Sequence, residues 1–262
     1  MKTRFFKYTI TPSLIFISLF FSFLFPVKIS AQNISGNVQY TITHNWVKKY
    51  SSIDYIDKAE IEKDTYVWAN EPEWVEISTL SFSSEASLYN ETGETKNKMT
   101  SNYTWRKQEY TIYRNFKENK SYDLIRTLNK LYVIEDSIKS YNWKILNEMR
   151  EISGHICMNA SIRDSIKNQT IIAWFALDIP VSAGPDRYSG LPGLILEINI
   201  NKGALVISAE TINISQEPLV VEKPVYPKRV KLIIESEYYD LISKYIADSK
   251  KLERVYFWGI RY

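Results

Sequence analysis

A histidine and a cysteine stand two positions apart, at His155 and Cys157, in a segment whose pattern predicts a β-strand. Because side chains alternate across a strand, both side chains are expected on one face. An imidazole and a thiolate can bind a soft metal, with Met158 or the distant His44 as further ligands. A structural metal site normally needs three or four such ligands, and this chain has only two His and one Cys. A buried thiol beside a packed imidazole is the alternative, and we expect no bound metal and no cofactor.

The same two residues are the only pair that resembles a Cys–His nucleophile. Neither stands in a nucleophile elbow or at a helix start, so no catalytic residue is assigned. A pair of carboxylates for glycoside hydrolysis remains open, and Asp178 and Asp186, which flank a turn-rich loop, are the pair to inspect. The alternative is that both aspartates are turn residues.

Aromatic residues make up 14% of the chain, which favours β-structure or a surface that stacks on a ligand. Such a platform would bind sugars or peptides, whereas cross-strand packing is the alternative reading. The residues considered are Tyr103, Trp105, Tyr110 and Tyr113, with Trp68 and Trp74 around Pro72.

The stretch Ser182–Ile195 is rich in turn formers and passes directly into an apolar strand. Glycines there permit backbone geometry or a close approach that a Cβ would block. A loop locked onto the core is one reading, and a loop that contacts a ligand or partner is the other. The glycines are followed by no Lys-Ser or Lys-Thr, and prolines remove amide donors, which excludes a phosphate-binding loop. The residues singled out are Pro180, Gly184, Pro185, Gly190, Leu191, Pro192, Gly193, Leu194 and Ile195.

Short strands joined by polar turns are predicted along most of the chain, which indicates an antiparallel meander. The first half predicts strands at Ile34–Trp46, Thr65–Ala69, Trp74–Phe82, Glu85–Tyr89, Glu109–Phe116, Tyr122–Thr127 and Lys130–Glu135. The second half predicts strands at Trp143–Leu146, Arg150–Arg163, Thr170–Ala176, Leu194–Ile200 and Ala204–Glu210.

Near the C-terminus the period changes to that of an amphipathic helix over Glu235–Leu252, with Tyr238, Ile242 and Leu252 on the apolar face. The alternating residues of Val255–Tyr262 then predict a closing strand. The expected fold is mainly β (α+β): an antiparallel curved sheet or half-open barrel of about ten or more strands with the C-terminal helix packed on it. Its architecture is similar to that of periplasmic lipoprotein carriers, by analogy of fold only.

Residues 1–31 have the features of a secretory signal peptide: early basic residues, an apolar stretch of about a dozen residues, and small residues before Gln32. That stretch is shorter than the roughly 18–20 residues of a membrane span, so no transmembrane anchor is expected after cleavage. The segment holds four of the 33 basic residues and none of the 30 acidic ones. The rest of the chain is therefore close to neutral, and its net charge gives no reason to expect nucleic-acid binding. Residues 32–262 are predicted to form a single β-rich domain.

Three segments carry a resemblance to a known family. Gly190–Ile195 reads Gly-Leu-Pro-Gly-Leu-Ile, the hexapeptide after which the GLPGLI family of bacterial envelope proteins is named. Asn142–Ile145 with Ile152–Ala160 resembles the family's Trp strand and Gly-Tyr-x-Cys strand, and Ala173–Pro185 its Trp-aromatic strand and Ile-Pro turn. His155 stands where the family usually has tyrosine, which weakens any role that needs a phenol at that position.

The resemblance implies an exported protein, periplasmic or associated with the outer membrane, in a family without an established activity. Its members are often encoded beside outer-membrane transporters, which implies an accessory role. We expect a non-catalytic protein that binds an envelope protein or transporter, or an apolar or peptide-like ligand. The alternatives are a glycan- or peptide-directed hydrolase, and a carbohydrate-binding module that uses exposed aromatic residues.

Overall fold

The computed structural model of the protein describes residues 34–97, 109–215 and 217–262. The predicted signal peptide, residues 1–31, and the aromatic residues Tyr103 and Trp105 lie outside these ranges.

Within the described ranges, twelve strands form one sheet. They are β1 (Ser35–Asn45), β2 (Glu73–Phe82), β3 (Ala86–Thr95), β4 (Tyr110–Asn115), β5 (Lys120–Thr127), β6 (Lys130–Ser137), β7 (Lys144–Ile152), β8 (His155–Asp164), β9 (Gln169–Ala176), β10 (Leu194–Ile200), β11 (Leu205–Ser215) and β12 (Lys231–Ile233).

The strand order is β12-β6-β5-β4-β3-β2-β1-β11-β10-β9-β8-β7, so two meanders meet where β1 pairs with β11. All neighbours are antiparallel except β12, which runs parallel to β6. The outer strands, β7 and β12, do not pair with each other, so the sheet is open. The predicted fold, mainly β with more than ten strands and a C-terminal helix, is confirmed, and the parallel β12 makes the sheet mixed.

Three helices accompany the sheet in the described part of the chain: α1 (Trp46–Ser51), α2 (Lys58–Tyr66) and α3 (Glu235–Lys251). None of these helices is long and apolar enough to cross a membrane.

Helix α3 begins where its backbone amides find acceptors. The amide of Glu235 donates to Asp136 of β6 at 3.2 Å, and the amide of Ile234 donates to the side chain of Glu237 at 3.1 Å. These contacts satisfy donors that a helix start leaves without partners. Tyr238 and Ile242 are buried in the core below. The helix therefore closes over one end of the sheet through its predicted apolar face, although Leu252 is exposed.

The predicted strand at Thr65–Ala69 is wrong. Helix α2 runs to Tyr66 instead, and the side chain of Asp57 caps its start by accepting from the amide of Ala59 at 2.8 Å. Tyr66 and Val67 are exposed, so their β-forming side chains have no sheet to pack against.

Two other strand predictions need correction. The predicted strand Arg150–Arg163 is divided between β7 and β8 by a turn at Ser153 and Gly154, both of which have positive φ. Val255–Tyr262 forms turns rather than a closing strand, because the amides of Gly259 and Ile260 both donate to the carbonyl of Tyr256. Tyr256, Phe257 and Tyr262 fill the core from this irregular segment, whereas Trp258 is exposed.

Candidate functional site

The loop between β9 and β10 is held against the core by its backbone. The amide of Ile195 donates to Ala183 at 2.9 Å, and the amide of Leu194 donates to Ile179 at 2.9 Å. Leu191, Leu194 and Ile195 are buried, as are Gly184, Pro185 and Gly193, whereas Pro180, Gly190 and Pro192 are exposed. The loop thus follows a fixed path, which determines where its polar residues lie.

The glycines of this loop serve different physical needs. A Cβ at Gly184 would approach the Tyr188 carbonyl oxygen to 2.7 Å and the Ile195 Cβ to 2.8 Å, and one at Gly193 would overlap the carbonyl of Ala176. A Cβ at Gly190 would make only an ordinary contact with Trp143 Nε1 at 3.9 Å, but the φ of +92° lies in a region that L-residues avoid. Two positions therefore require space, and one requires backbone freedom.

The middle of the loop carries charged groups into the protein. Asp186 accepts hydrogen bonds from the Tyr110 hydroxyl and from Arg261 Nε, the latter at 2.9 Å. Arg187 donates from Nε to Asp123 at 2.7 Å and from Nη2 to Glu235 at the start of α3.

Two further ion pairs complete this network. Arg114 of β4 pairs with Asp123, whose side chain is fully buried, and Arg261 also pairs with Glu91 of β3. The network therefore joins β3, β4, β5, the loop, α3 and the C-terminal segment.

The pKa values follow from burial and from these partners. Burial alone would raise the pKa of Asp123, but the guanidinium groups of Arg114 and Arg187 hold it below its usual value. Burial likewise opposes ionisation of Asp186, but Arg261, the Tyr110 hydroxyl and Lys167 hold its pKa below the usual value. Both aspartates are therefore anions at neutral pH.

A cavity of about 360 Å³ adjoins this network. Its wall is formed by Tyr110, residues 139–142 before β7, residues 162–167 at the β8–β9 turn, Ile171, residues 186–188 of the loop, Tyr238, Tyr239 and Ile242 of α3, and the last two residues. The volume lies near the lower end of the range of small-molecule sites, roughly 300–1,000 Å³.

Tyrosines form much of the cavity wall. Burial raises the pKa of Tyr238 to about 12, and it also raises the pKa values of Tyr141, Tyr188 and Tyr239. Their hydroxyls thus stay protonated at neutral pH and can donate hydrogen bonds. Tyr188 and Tyr141 also pack against each other with ring centroids 5.7 Å apart.

Basic groups outnumber acidic groups in this wall. Among the described residues, the basic lining residues are Lys139, Arg163, Lys167, Arg187 and Arg261, and the acidic ones are Asp164 and Asp186. Burial lowers the pKa of Lys139, and it lowers the pKa of Lys167 to about 8. The cavity thus offers tyrosine rings, hydroxyl donors and positive charge to a ligand.

Of the candidate metal ligands considered from the sequence, His155 and Cys157 share strand β8, and His44 lies apart from them. His155 Nδ1 lies 2.6 Å from Asp178, while Cys157 is buried on the same strand, and burial raises its pKa to about 11. His44 lies elsewhere, 2.6 Å from the Lys49 ammonium and 3.3 Å from Glu76. Across the described residues, no group of three or more His, Cys, Asp or Glu side chains could hold a metal ion.

The predicted carboxylate pair is also divided, because Asp178 contacts His155 whereas Asp186 contacts Tyr110 and Arg261. Asp178 is exposed and Asp186 is buried. The pair therefore shares no partner.

The aromatic residues that the sequence singled out do not form an exposed platform in the described chain. Tyr110 and Tyr113 are buried, and Trp68 and Trp74 are half-buried against the core. Sequence reasoning missed the tyrosines of α3 and of the segment before β7. The sequence did contain one signal for this site. Asp186, Arg187 and Tyr188 have side chains able to bind a ligand, and they stand at the centre of the loop between two pairs of turn formers.

Comparisons with known proteins find a matching family model and similar solved structures. A family model described as "Protein of unknown function (Porph_ging)" matches residues 162–197, from β8 through the loop into β10. Two solved structures, "Structure of PNGF-II in P21 space group" and "Structure of PNGF-II in C2 space group", are 16% and 15% identical over 82% and 81% of this chain, with TM-scores of 0.49 and 0.45. The chain spans only about a third of their length, 34% and 33%. No curated protein sequence matches this chain.

We predict that Gly193→Ala lowers the free energy of unfolding by about 1–3 kcal/mol, because the added methyl group must displace the carbonyl of Ala176 or the loop. Urea unfolding followed by circular dichroism measures the change. Ser84→Ala, at an exposed turn, is the control and is expected to change stability by less than about 0.5 kcal/mol. Equal stability of the Gly193→Ala variant and the parent protein would contradict the close approach.

We predict that Asp123→Ala lowers the free energy of unfolding by about 3–5 kcal/mol, because it removes the shared partner of two buried guanidinium groups. The matched control is Asp178→Ala. The Asp178 side chain is 57% exposed in its pair with His155, so its loss is expected to cost about 0–1 kcal/mol. A loss for Asp123→Ala as small as the loss for Asp178→Ala would show that the buried network adds no stability.

Acid is expected to destabilise the fold. Asp123 and Asp186 have lowered pKa values in the folded state, so their stabilising contribution is complete above the unfolded value of about 3.9 and is lost as pH falls through the folded values. The urea midpoint is therefore expected to fall steeply between about pH 4 and pH 2. A midpoint that stays constant over this interval would contradict the direction of both shifts.

Proposed function

We propose that this protein is a non-catalytic binding protein of the cell envelope, and that a peptide-like ligand occupies the cavity beside the β9–β10 loop. The observation that carries the proposal is the cavity of about 360 Å³ whose wall combines tyrosine rings with basic side chains. A purely apolar ligand would leave the Lys167 ammonium, which makes no hydrogen bond or ion pair within the described residues, without a partner, and this costs binding free energy. A peptide offers carbonyl and carboxylate acceptors together with side chains that pack on tyrosine rings.

The family assignment and the location belong to the same proposal. The hexapeptide Gly190–Ile195 lies inside the range matched by the family model of unknown function, residues 162–197, and supports membership of the GLPGLI family. Membership, together with the leader-like residues 1–31, favours export to the periplasm or the outer membrane. An accessory role beside an outer-membrane transporter fits a protein that binds a ligand without transforming it.

A hydrolase has less support from the geometry than a binding protein. The carboxylates Asp178 and Asp186 engage separate partners, and Asp186 is already neutralised by Arg261. A glycosidase instead needs two carboxyl groups that face one scissile bond.

Native mass spectrometry of the protein purified from its own cells tests the proposal. We expect a retained mass of peptide size in the parent protein. Ser140→Trp and Ser165→Trp place a large ring at exposed positions of the cavity wall, and each is expected to reduce the retained fraction at least tenfold. Thr211→Trp, at an exposed position of β11 outside the cavity wall, is the control and is expected to retain the mass. An identical retained mass in all four proteins would overturn the cavity as the binding site.

A further inference from the structure

Most basic groups of the cavity wall already have partners. Arg187 binds Asp123 and Glu235, and the Arg163 guanidinium donates to Asn168. The Lys139 ammonium donates to the Tyr239 hydroxyl and lies 4.8 Å from the Tyr141 ring centroid. These side chains shape the wall, and their donors are largely committed.

Lys167 differs from these groups. Within the described part of the chain, its one hydrogen bond is from its backbone amide to Asp164 at 3.1 Å, and its ammonium makes no hydrogen bond or ion pair. The group is half-buried on the β8–β9 turn and lines the cavity. Its position therefore exposes a positive charge to whatever enters the cavity.

Arg261 also lines this cavity, although it already has two carboxylate partners. Its Nε binds Asp186 at 2.9 Å and its Nη1 pairs with Glu91, while Nη2 is buried without a hydrogen-bond partner among the described residues. A buried donor of a charged group normally has a partner, and leaving it without one costs free energy.

The two groups act on each other through space. Burial is the largest cause that lowers the pKa of Lys167, and the positive guanidinium of Arg261 lowers it further. An anion bound between the two cations would reduce this repulsion.

We infer that Lys167 and the guanidinium of Arg261 form a carboxylate-binding subsite of the cavity, which receives the terminal or side-chain carboxylate of the ligand. The inference rests on the proposed function, since it assigns the group by which the ligand in that cavity is held. The hydroxyls of Tyr188 and Tyr238, which line the same cavity, can supply further donors.

The surrounding charges select a singly charged anion. Asp164 and Asp186 lie within electrostatic range of Lys167, as the effect of both carboxylates on its pKa shows. A second negative charge on the ligand would be repelled by both aspartates. A carboxylate therefore fits this site better than a phosphate dianion.

Two pairs of probes test the subsite by isothermal titration calorimetry on the full mature chain. N-acetyl-dialanine is compared with its C-terminal amide, and glucuronate is compared with glucose. We expect at least one acid to bind about tenfold or more tightly than its neutral partner, and Lys167→Met to remove that preference. Lys130→Met, at an exposed position away from the cavity, is the matched control and is expected to leave the preference unchanged.

The pH dependence provides a measurement without a substitution. The charged groups that face Lys167 are Asp164 of its own turn, Asp186 and Arg187 of the loop, and Arg261, and Lys139 and Tyr239 line the same cavity. The Lys167 ammonium, whose pKa burial lowers to about 8, loses its proton in this range, while Asp186 stays ionised and Arg187 and Arg261 stay protonated. Affinity for the acid is therefore expected to fall between pH 7 and pH 9, while affinity for the neutral partner stays constant.

The outcomes separate the two proposals. A preference for glucuronate alone supports the subsite with a sugar acid as the source of the carboxylate, and a preference for the peptide acid supports a peptide. Equal binding of acid and neutral probes, no binding of either acid at millimolar concentration, or inorganic phosphate that binds as tightly as the acids would overturn the subsite. If Ser140→Trp leaves the binding of a preferred acid unchanged, the cavity assignment fails as well.

Discussion

Two buried carboxylates, Asp123 and Asp186, determine how this structure is held together around its cavity. A buried carboxylate is costly unless cations and hydrogen-bond donors surround it. Arg114 and Arg187 surround the first, and Arg261 and Tyr110 surround the second. Because these partners come from β4, the β9–β10 loop and the C-terminal segment, neutralising the two charges also brings these segments together. The cavity wall is thus a product of charge compensation as well as of apolar packing.

The glycines and prolines of the loop serve this arrangement. Leu191, Leu194 and Ile195 anchor the loop after the turn, and Gly184 and Gly193 allow its backbone to approach neighbouring chain segments closely. The charged residues between these anchors then point into the protein rather than into solvent. A single loop is therefore anchored on the core and also contributes residues 186–188 to the cavity wall.

The general fold was predictable because hydrophobic alternation and turn residues are local signals. Most strands, and the helix Glu235–Lys251, lie close to their predicted positions for this reason. The errors at Thr65–Ala69 and Val255–Tyr262 have a different cause. Both segments hold aromatic and β-branched residues, but a capped helix and a pair of turn hydrogen bonds determine their conformation. β-propensity is a weak guide where such local hydrogen bonds compete with it.

The site was less predictable than the fold, because it depends on contacts between residues far apart in the chain. Asp186 could be singled out from its place between turn formers, but nothing near it in the sequence indicates Tyr110 or Arg261 as partners. The structure does not bring Asp178 and Asp186 together for the same reason. The two residues are close in sequence, yet Asp178 lies in solvent and Asp186 lies in the core. The tyrosines of α3 have helical spacing, which indicates only a buried face.

The central strand pair has a consequence for the rate of folding. Strand β1 pairs with β11 from Ser35 opposite Ser215 to His44 opposite Leu205, so the middle of the sheet joins opposite ends of the folded domain. Contacts so distant in sequence require a large loss of chain entropy before they form, and proteins dominated by them fold slowly. Each meander can collapse locally, but the chain must be nearly complete before the two can join. Until then β1 and β11 present unpaired edges, and a nascent chain of this topology depends on protection from aggregation.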